Sequence, residues 1–553
     1  MTAIDWAVLF AWLIFLVSYG LWRGRGSDTA NQFLLAGKTM PWYAMGLSIM
    51  ATQATAITFI STTAQGYSDG MRFVQFYFGL PIAMVILSAT AVPIFHRAKV
   101  YTAYEYLEQR FDSKTRSLVT AIFLIERGLG AGVALAAPAI ALSVILGWPF
   151  RLTAVVMGTL VILYTTTGGI KAVTWADVQQ MAVITASLLL AAIIAVNMLP
   201  SDISFLDAVR IAGAAGKLNV VETQFNWNDR YNLWSGLIGA SFLFLAYFGT
   251  DQSQVQRYLT GRSIGQSRLS LLFNAVAKVP MQFGILFIGA MVFVFFIFIR
   301  PPLTFHPRAE KQLESRAEYS QLQSRYNEAF ERRQSAARAI KSGHDAASLA
   351  EFRSSQKQLD SVHADAVKLS GEPDTNYIFL SFVTRYLPRG VIGLVLGVIF
   401  TAAMSAISGE INSLATVTVI DIYRRLKPGA TDRQTVFASR LGTVFWGAYA
   451  IAFSALFGQG FGTLIEAVNQ VGSFFYGPML GVFFIAFFVK RVGGTAVFVG
   501  AIAGELAIIA VSRTTHIAYL WYNVVGAVAV IAIATAIQRG AGFSPRGASA
   551  PQP

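Results

Sequence analysis

"TAAMSAISGEINSLATVTVIDIY", Thr401 to Tyr423, is a run of small, hydroxyl-bearing and apolar residues with one acid, Glu410, in its middle. Two other stretches share its character. "SIMATQATAITFIS" carries Thr52, Gln53, Thr55 and Thr58, and "AYFGTDQSQVQRY" carries Gly249, Thr250 and Asp251. A carboxylate left unpaired in apolar surroundings costs several kcal/mol, so such acids mark a functional site or a structural ion pair. Bond-making chemistry has no comparable signal. "ERGLGAGVAL" spaces Gly128, Gly130 and Gly132 like a nucleotide loop, but no strand precedes it, and helix packing through small residues explains it better. No P-loop, HExxH or nucleophile elbow appears, and the chain reads as something other than an enzyme.

The surroundings are a bilayer. Of 553 residues, 55% are hydrophobic and 13% charged, and the mean hydropathy is +0.54, more apolar surface than a soluble core can hide. About thirteen apolar runs are long enough to cross a roughly 30 Å hydrocarbon core. They begin near Ile4, Pro41, Phe73, Arg116, Leu152, Thr174, Tyr231, Leu271, Gly390, Gln434, Thr463, Gly493 and Ile517. Lipid offers backbone groups no partners, so each is expected to be helical, giving an all-α integral membrane fold. The first run, with no basic residues ahead of it and no cleavage site after it, reads as a retained anchor rather than a signal peptide.

Lys and Arg concentrate in alternate connections, among them Arg97 to Arg116, Arg257 to Arg268, Arg424 to Arg433 and Lys490/Arg491. By the positive-inside rule these connections face the cytoplasm, which puts the amino terminus outside and the carboxyl terminus inside a cell (inner) membrane. The net charge of +14 is largely this bias and does not argue for nucleic acid. With no cysteine, disulfides and thiolate-bound metals are excluded.

One segment departs from the pattern. From Arg308 to Gly371 the chain turns charged and glutamine-rich, with apolar residues at helical spacing on either side of "KSGHD", as in an extracellular helical hairpin. It offers a surface for a partner or a cap over an entrance; its plainer reading is a structural insertion, replaceable by a short linker because long loops cost little to close. His306, His344 and His363 lack ligand spacing, so no metal site is expected there.

Depth ties the polar stretches together. Thr52 to Thr58 lie roughly 15 to 25 Å from Lys38 along a helix, near the midplane, and Gly249 to Gln252 about as deep from the other face. Breaks are expected near Ala51 to Ala54 and Gly249 to Gln252. Setting the first run aside, these are the leading helices of two five-helix groups entering from opposite faces, the inverted repeat of a secondary transporter. The expected division is an extra helix (1–38), a first repeat (39–200), the start of a second (201–300), the hairpin (301–376), the rest of the second repeat (377–490), two further helices (491–538) and a tail (539–553).

Four blocks, "PIFHRAKVYTAYEYLEQRF", "TTGGIKAVTWADVQQ", "DQSQVQRYL" and "INSLATVTVIDIY", resemble the sodium/solute symporters, a family with a LeuT-like core; the first three are closest to its monocarboxylate, multivitamin and iodide branch. The resemblance implies sodium-coupled symport of a small organic solute, such as a sugar or monocarboxylate, by alternating access. It implies a Na⁺ site from the carbonyls of Ala51, Ala54 and Ala402 and the Ser405 hydroxyl. Ala406 departs from relatives that carry a second hydroxyl there. Asp177 matches a position along the sodium path, and Glu410, one turn beyond Ala406, either serves that path or a second cation or pairs with a buried base. By family position Gln53, Ile57, Thr58, Phe76, Asp251 and Lys278 line the solute site, with Asp251 either attracting an amine, pairing with Lys278, or only capping the broken helix. Proton coupling through Glu410 and Asp177 is a second reading, and a sensor signalling through the hairpin a third, although no output domain follows Arg539.

Overall fold

The computed structural model describes residues 1–23, 29–342, 346–458 and 463–540, which form helices joined by turns and loops; a lone backbone bridge between Met40 and Gly261 is the only strand-like pairing among them. The first helices are α1 (Ala3–Arg23), α2 (Trp42–Gln53), α3 (Thr58–Ser68), α4 (Gly70–Ala98), α5 (Ser113–Leu146) and α6 (Phe150–Asn197). Next come α7 (Phe205–Ala214), α8 (Ala240–Gly249), α9 (Gln252–Leu259) and α10 (Ile264–Phe298). The hairpin is α11 (Tyr319–Ser342) and α12 (Ala346–Ser370), followed by α13 (Val391–Leu426), α14 (Asp432–Phe457), α15 (Leu464–Phe488), α16 (Gly494–Thr514) and α17 (Leu520–Gly540). Among the described residues nine helices are long and apolar enough to span a membrane, and α2 with α3 makes a tenth span bent by 61°.

α6 is longer than any span. At 1.5 Å per residue its 48 residues would form a rod of about 72 Å. Yet both ends lie beside the hairpin: Arg308 Nη2 donates to Gly147 O (2.7 Å) just before α6, and Arg338 meets Asp202 (3.5 Å) just after it. A straight rod of that length does not fit between these contacts, and by composition the helix divides into two apolar stretches, Phe150–Thr166 and Ile170–Asn197. α1 packs on α13, where Asp5 accepts from Gly390 N (2.6 Å) and Trp12 Nε1 donates to Thr401 Oγ1 (3.1 Å).

The two broken helices run in opposite senses. Met40 N, leading into α2, donates to Thr260 O (3.1 Å) just past α9. On the hairpin side Arg72, just past α3, pairs with Asp229, which precedes α8. The start of each broken helix thus lies beside the end of the other, the relation an inverted repeat requires.

The hairpin is docked on the helical body. Ala336, Ala337, Ile340 and Phe352 share one buried cluster with Ile203 and Ile211 near α7 and with Met291, Phe293, Ile297 and Phe298 of α10. Arg333 Nη2 (2.6 Å) and Gln334 Nε2 (2.9 Å) donate to the Phe296 and Phe298 carbonyls, the orphan acceptors at the end of α10. Deletion would uncover these groups at about 1.5–3 kcal/mol per large side chain. We expect a chain with 308–371 replaced by a Gly/Ser linker to aggregate on size-exclusion chromatography in detergent; a monodisperse peak at the native yield would refute the docking role.

Two of the hairpin histidines have structural jobs, and His344 lies outside the described residues. His306 Nδ1 caps the short helix Pro307–Glu314, accepting from Arg308 N (3.2 Å) and Ala309 N (3.4 Å). His363 meets the Asp374 carboxylate at 3.2 Å. Burial opposes the imidazolium, but Asp374 outweighs it and raises His363 above its usual 6.5. Asp374 is pushed up by burial and pulled down further by His363 and by bonds from Phe305 N and Thr304 Oγ1, so it ends below 3.8. The histidine contribution is complete below about pH 6.5 and lost as pH rises through the higher folded value; the Asp374 contribution is present above about 3.8 and lost on acidification through its lower folded value. Thermal stability of the docked hairpin should therefore fall between pH 6 and pH 8.5. His363→Gln should flatten that difference, and an equally steep fall in the variant would remove His363 as its cause.

Candidate functional site

Each break follows from residues that compete with the helix. After Gln53 the run Thr55, Ile57 and Thr58 is β-branched, and Ala54 leaves helical geometry (φ −92°, ψ 58°). Thr58 Oγ1 donates to Gln53 O (2.7 Å), replacing a backbone bond lost at the break. The break falls at Ala54–Ile57, slightly later than expected. In the second helix Thr250 and Asp251 leave helical geometry, and the Asp251 carboxylate caps α9 by accepting from Ser253 N (2.8 Å). Gln254 Nε2 reaches back across this break to Tyr247 Oη (2.6 Å). Tyr104 Oη holds the Thr250 carbonyl (3.0 Å), and Gln252 bonds Ala103 N and Tyr101 O (both 2.9 Å).

A cavity of about 90 Å³ lies between the breaks. Thr52, Gln53, Thr55 and Ile57 supply one wall, and Leu243, Phe244 and Tyr247 of α8 another. Phe76 and Tyr77 of α4, Arg127 and Ala134 of α5, Glu410 of α13, and Ile465, Val468, Asn469 and Tyr476 of α15 complete it.

Beneath the cavity is an ion cluster in which Glu410 has the buried base weighed for it in the sequence, Arg127, although Glu126 and Arg127 were not themselves singled out. Arg127 donates through Nη1 to Glu410 Oε1 (3.2 Å) and through Nη2 to Asp251 and to Tyr476 Oη (2.5 Å); it also lies 3.4 Å from Glu126. Tyr476 Oη in turn donates to Asp251 Oδ2 (3.1 Å). All four charged residues are at least nine-tenths buried. The available signal was an adjacent Glu126 and Arg127 inside an apolar span, overshadowed by the glycines that follow. Those glycines do serve packing: Gly128 faces Trp446 and Tyr449, and Gly132 faces Phe453, all on α14.

A second cluster joins α2, α6, α9 and α13. Asp177 accepts from Ser48 Oγ (2.5 Å), Arg257 Nη1 (2.7 Å) and Ser405 Oγ. Nearby, Gln180 Nε2 donates to Thr401 O (2.5 Å). Arg257, expected among the loop cations, is 1% exposed. It sits so close to α13 that a Cβ at Gly409 would lie 2.3 Å from its Nη2.

The expected solute residues divide. Gln53, Ile57 and Phe76 line the cavity; Thr58 clamps the break, and Asp251 stands behind the wall on Arg127. Lys278 is not the partner of Asp251. Its Nζ lies 5.7 Å from the Tyr77 ring centre, buried, with no hydrogen-bond partner among the described residues. Equal depth brought the two residues together in the sequence reading, but helix rotation points them apart. Ala51, Ala54 and Ala402 are buried beside the first break and along α13.

Residues 33–313 and 359–504 match the Sodium:solute symporter family. The chain belongs to this family. The unmatched 314–358 falls within the hairpin region. As a family member it is 27% identical over 505 residues to the sodium-coupled monocarboxylate transporter 1 of Homo sapiens, covering 90% of this chain and 72% of that one. It is 25% identical over 543 residues to the sodium/sialic acid symporter NanT of Aliivibrio fischeri, covering 96% and 92%. Among solved structures, a Na⁺-coupled sialic acid symporter in a substrate-bound, outward-open state, with what is described as a novel Na⁺-site, superposes with a TM-score of 0.75 at 24% identity, over 98% of this chain and 99% of that one. These relatives are transporters, and the shared fold is the all-helical, LeuT-like one.

Proposed function

We propose that this symporter couples entry of Na⁺ to uptake of a small organic solute by alternating access, with its amino terminus outside the cell and its carboxyl terminus in the cytoplasm. The observation that carries this is the meeting of two oppositely directed broken helices at one buried cavity. Na⁺ would be held by the carbonyls of Ala51, Ala54 and Ala402 and the hydroxyl of Ser405. The Ser405 proton is committed to Asp177, which leaves the oxygen lone pairs free to face a cation. Helix α2 ends at this point, and its carbonyl end supplies negative potential. Asp177, locked by Arg257 and Ser48, orients Ser405 and stands where the ion leaves toward the cytoplasm, while Gln53, Ile57 and Phe76 contact the solute. Asp251, Thr58 and Lys278 act from behind that surface, and Glu410 borders the solute cavity rather than the Ser405 cluster. Coupling to one charge supplies about 2.3 kcal/mol per 100 mV, enough for roughly forty-fold accumulation. The test is solute uptake into proteoliposomes under matched Na⁺, K⁺ and H⁺ gradients. Accumulation driven by Na⁺ alone supports the proposal, and accumulation driven by H⁺ alone overturns it.

A further inference from the structure

Resting on the symport reading, the cavity also has a charge preference. Among the described residues Arg127 is the one cation lining it, and both of its terminal nitrogens are engaged by Glu410, Asp251 and Tyr476, with Glu126 adjacent. Arg127 Nε and the lining Asn469 Nδ2 still lack partners among the described residues, but the guanidinium charge is outnumbered by three acids, so a carboxylate solute arriving there meets more negative than positive charge. Glu410 presents the opposite. Its Oε1 takes the Arg127 bond, but Oε2 has no hydrogen-bond partner among the described residues, although Glu410 lines the cavity and is 6% exposed. A buried carboxylate oxygen without a donor lacks a cationic or N–H partner.

The walls suit the same partner. Phe76, Tyr77, Phe244, Tyr247 and Tyr476 all border the cavity, and aromatic faces attract ammonium groups as well as apolar bodies. A second Na⁺ is the competing occupant, because Thr52, Gln53, Thr55 and Asn469 also bring oxygens to the lining, and counting Na⁺ in a Glu410 variant separates the two. Lys278, the other buried cation nearby, lies behind Tyr77 and is not among the lining residues. We propose that the solute of this symporter carries an ammonium group, received by Glu410 Oε2 at the floor of the aromatic cavity, and that simple carboxylates are excluded.

The test uses reconstituted wild-type protein, with radiolabelled ethanolamine, choline and propionate as probes and ²²Na⁺ binding measured in parallel. Na⁺-driven uptake of ethanolamine or choline is expected, with no uptake of propionate and no competition from it. Glu410→Gln should weaken the ammonium at least tenfold while leaving Na⁺ affinity within about threefold. Should that variant fail to fold, the wild type still decides, because uncharged N-acetylethanolamine should compete at least tenfold less well than ethanolamine. Propionate uptake, absence of uptake for both ammonium probes, equal competition by N-acetylethanolamine, or loss in Glu410→Gln of one Na⁺ instead of the ammonium would each overturn the proposal. Normal ²²Na⁺ binding alongside such a result leaves the symport reading standing. Loss of ²²Na⁺ binding in the wild type would sink that reading itself.

Discussion

Replacing Arg127 by methionine is expected to leave little folded protein. The substitution keeps an apolar stem of similar length and removes the one cation among the described residues that pairs with Glu126, Asp251 and Glu410, all at least nine-tenths buried. Removing one partner of a buried pair costs about 3–5 kcal/mol, and here three acids lose the same partner. The second break should suffer most, because Asp251 both caps α9 and holds Arg127. Arg127→Lys keeps the charge but cannot bond Glu410 and Asp251 through a planar fork, and should fall between. Arg127→Met combined with Asp251→Asn should recover part of the loss, the signature of direct coupling. Fluorescence-detected size-exclusion yield and melting temperature read all of these. A well-folded Arg127→Met protein with native melting would mean that the acids are neutral without it.

Ser405→Ala is expected to act in the opposite way, on function with the fold preserved. Alanine is the best helix former, and Asp177 keeps Ser48 and Arg257 after the hydroxyl is gone. What disappears is the oxygen proposed to face Na⁺. With Ala406 offering no second hydroxyl beside it, the loss should weaken Na⁺ at least tenfold, about 1.4 kcal/mol. Native melting with a rightward shift in the Na⁺ dependence of transport is the expected pair of results. An unshifted Na⁺ dependence would remove Ser405 from the ion site.

The helical segments were legible because bilayer thickness sets their length and lipid forbids exposed backbone, so the apolar runs from Phe73, Arg116, Gly390 and Gln434 begin within a few residues of α4, α5, α13 and α14. The breaks were legible from β-branched and polar crowding at Thr55 to Thr58 and Thr250 to Asp251. Azimuth was not. Lys278 and Asp251 share a depth, yet Asp251 turns to Arg127 and Lys278 to Tyr77. Arg257 illustrates the same limit: two positions before the end of α9 it reads as a loop charge, and only the packing of α9 against α2 and α13 carries it to Asp177. For the hairpin, helical spacing was visible, but the face that docks on α10 depends on a surface distant in sequence.

Sodium binding to the purified protein bears most directly on the function proposed here. With ²²Na⁺ and a scintillation-proximity format, binding should saturate, should be displaced by unlabelled Na⁺ but not by K⁺ at the same ionic strength, and should weaken at least tenfold in Ser405→Ala. Saturable binding with that loss is the predicted result. A folded wild-type protein that binds no Na⁺, or binds it identically with and without the Ser405 hydroxyl, would contradict the sodium site.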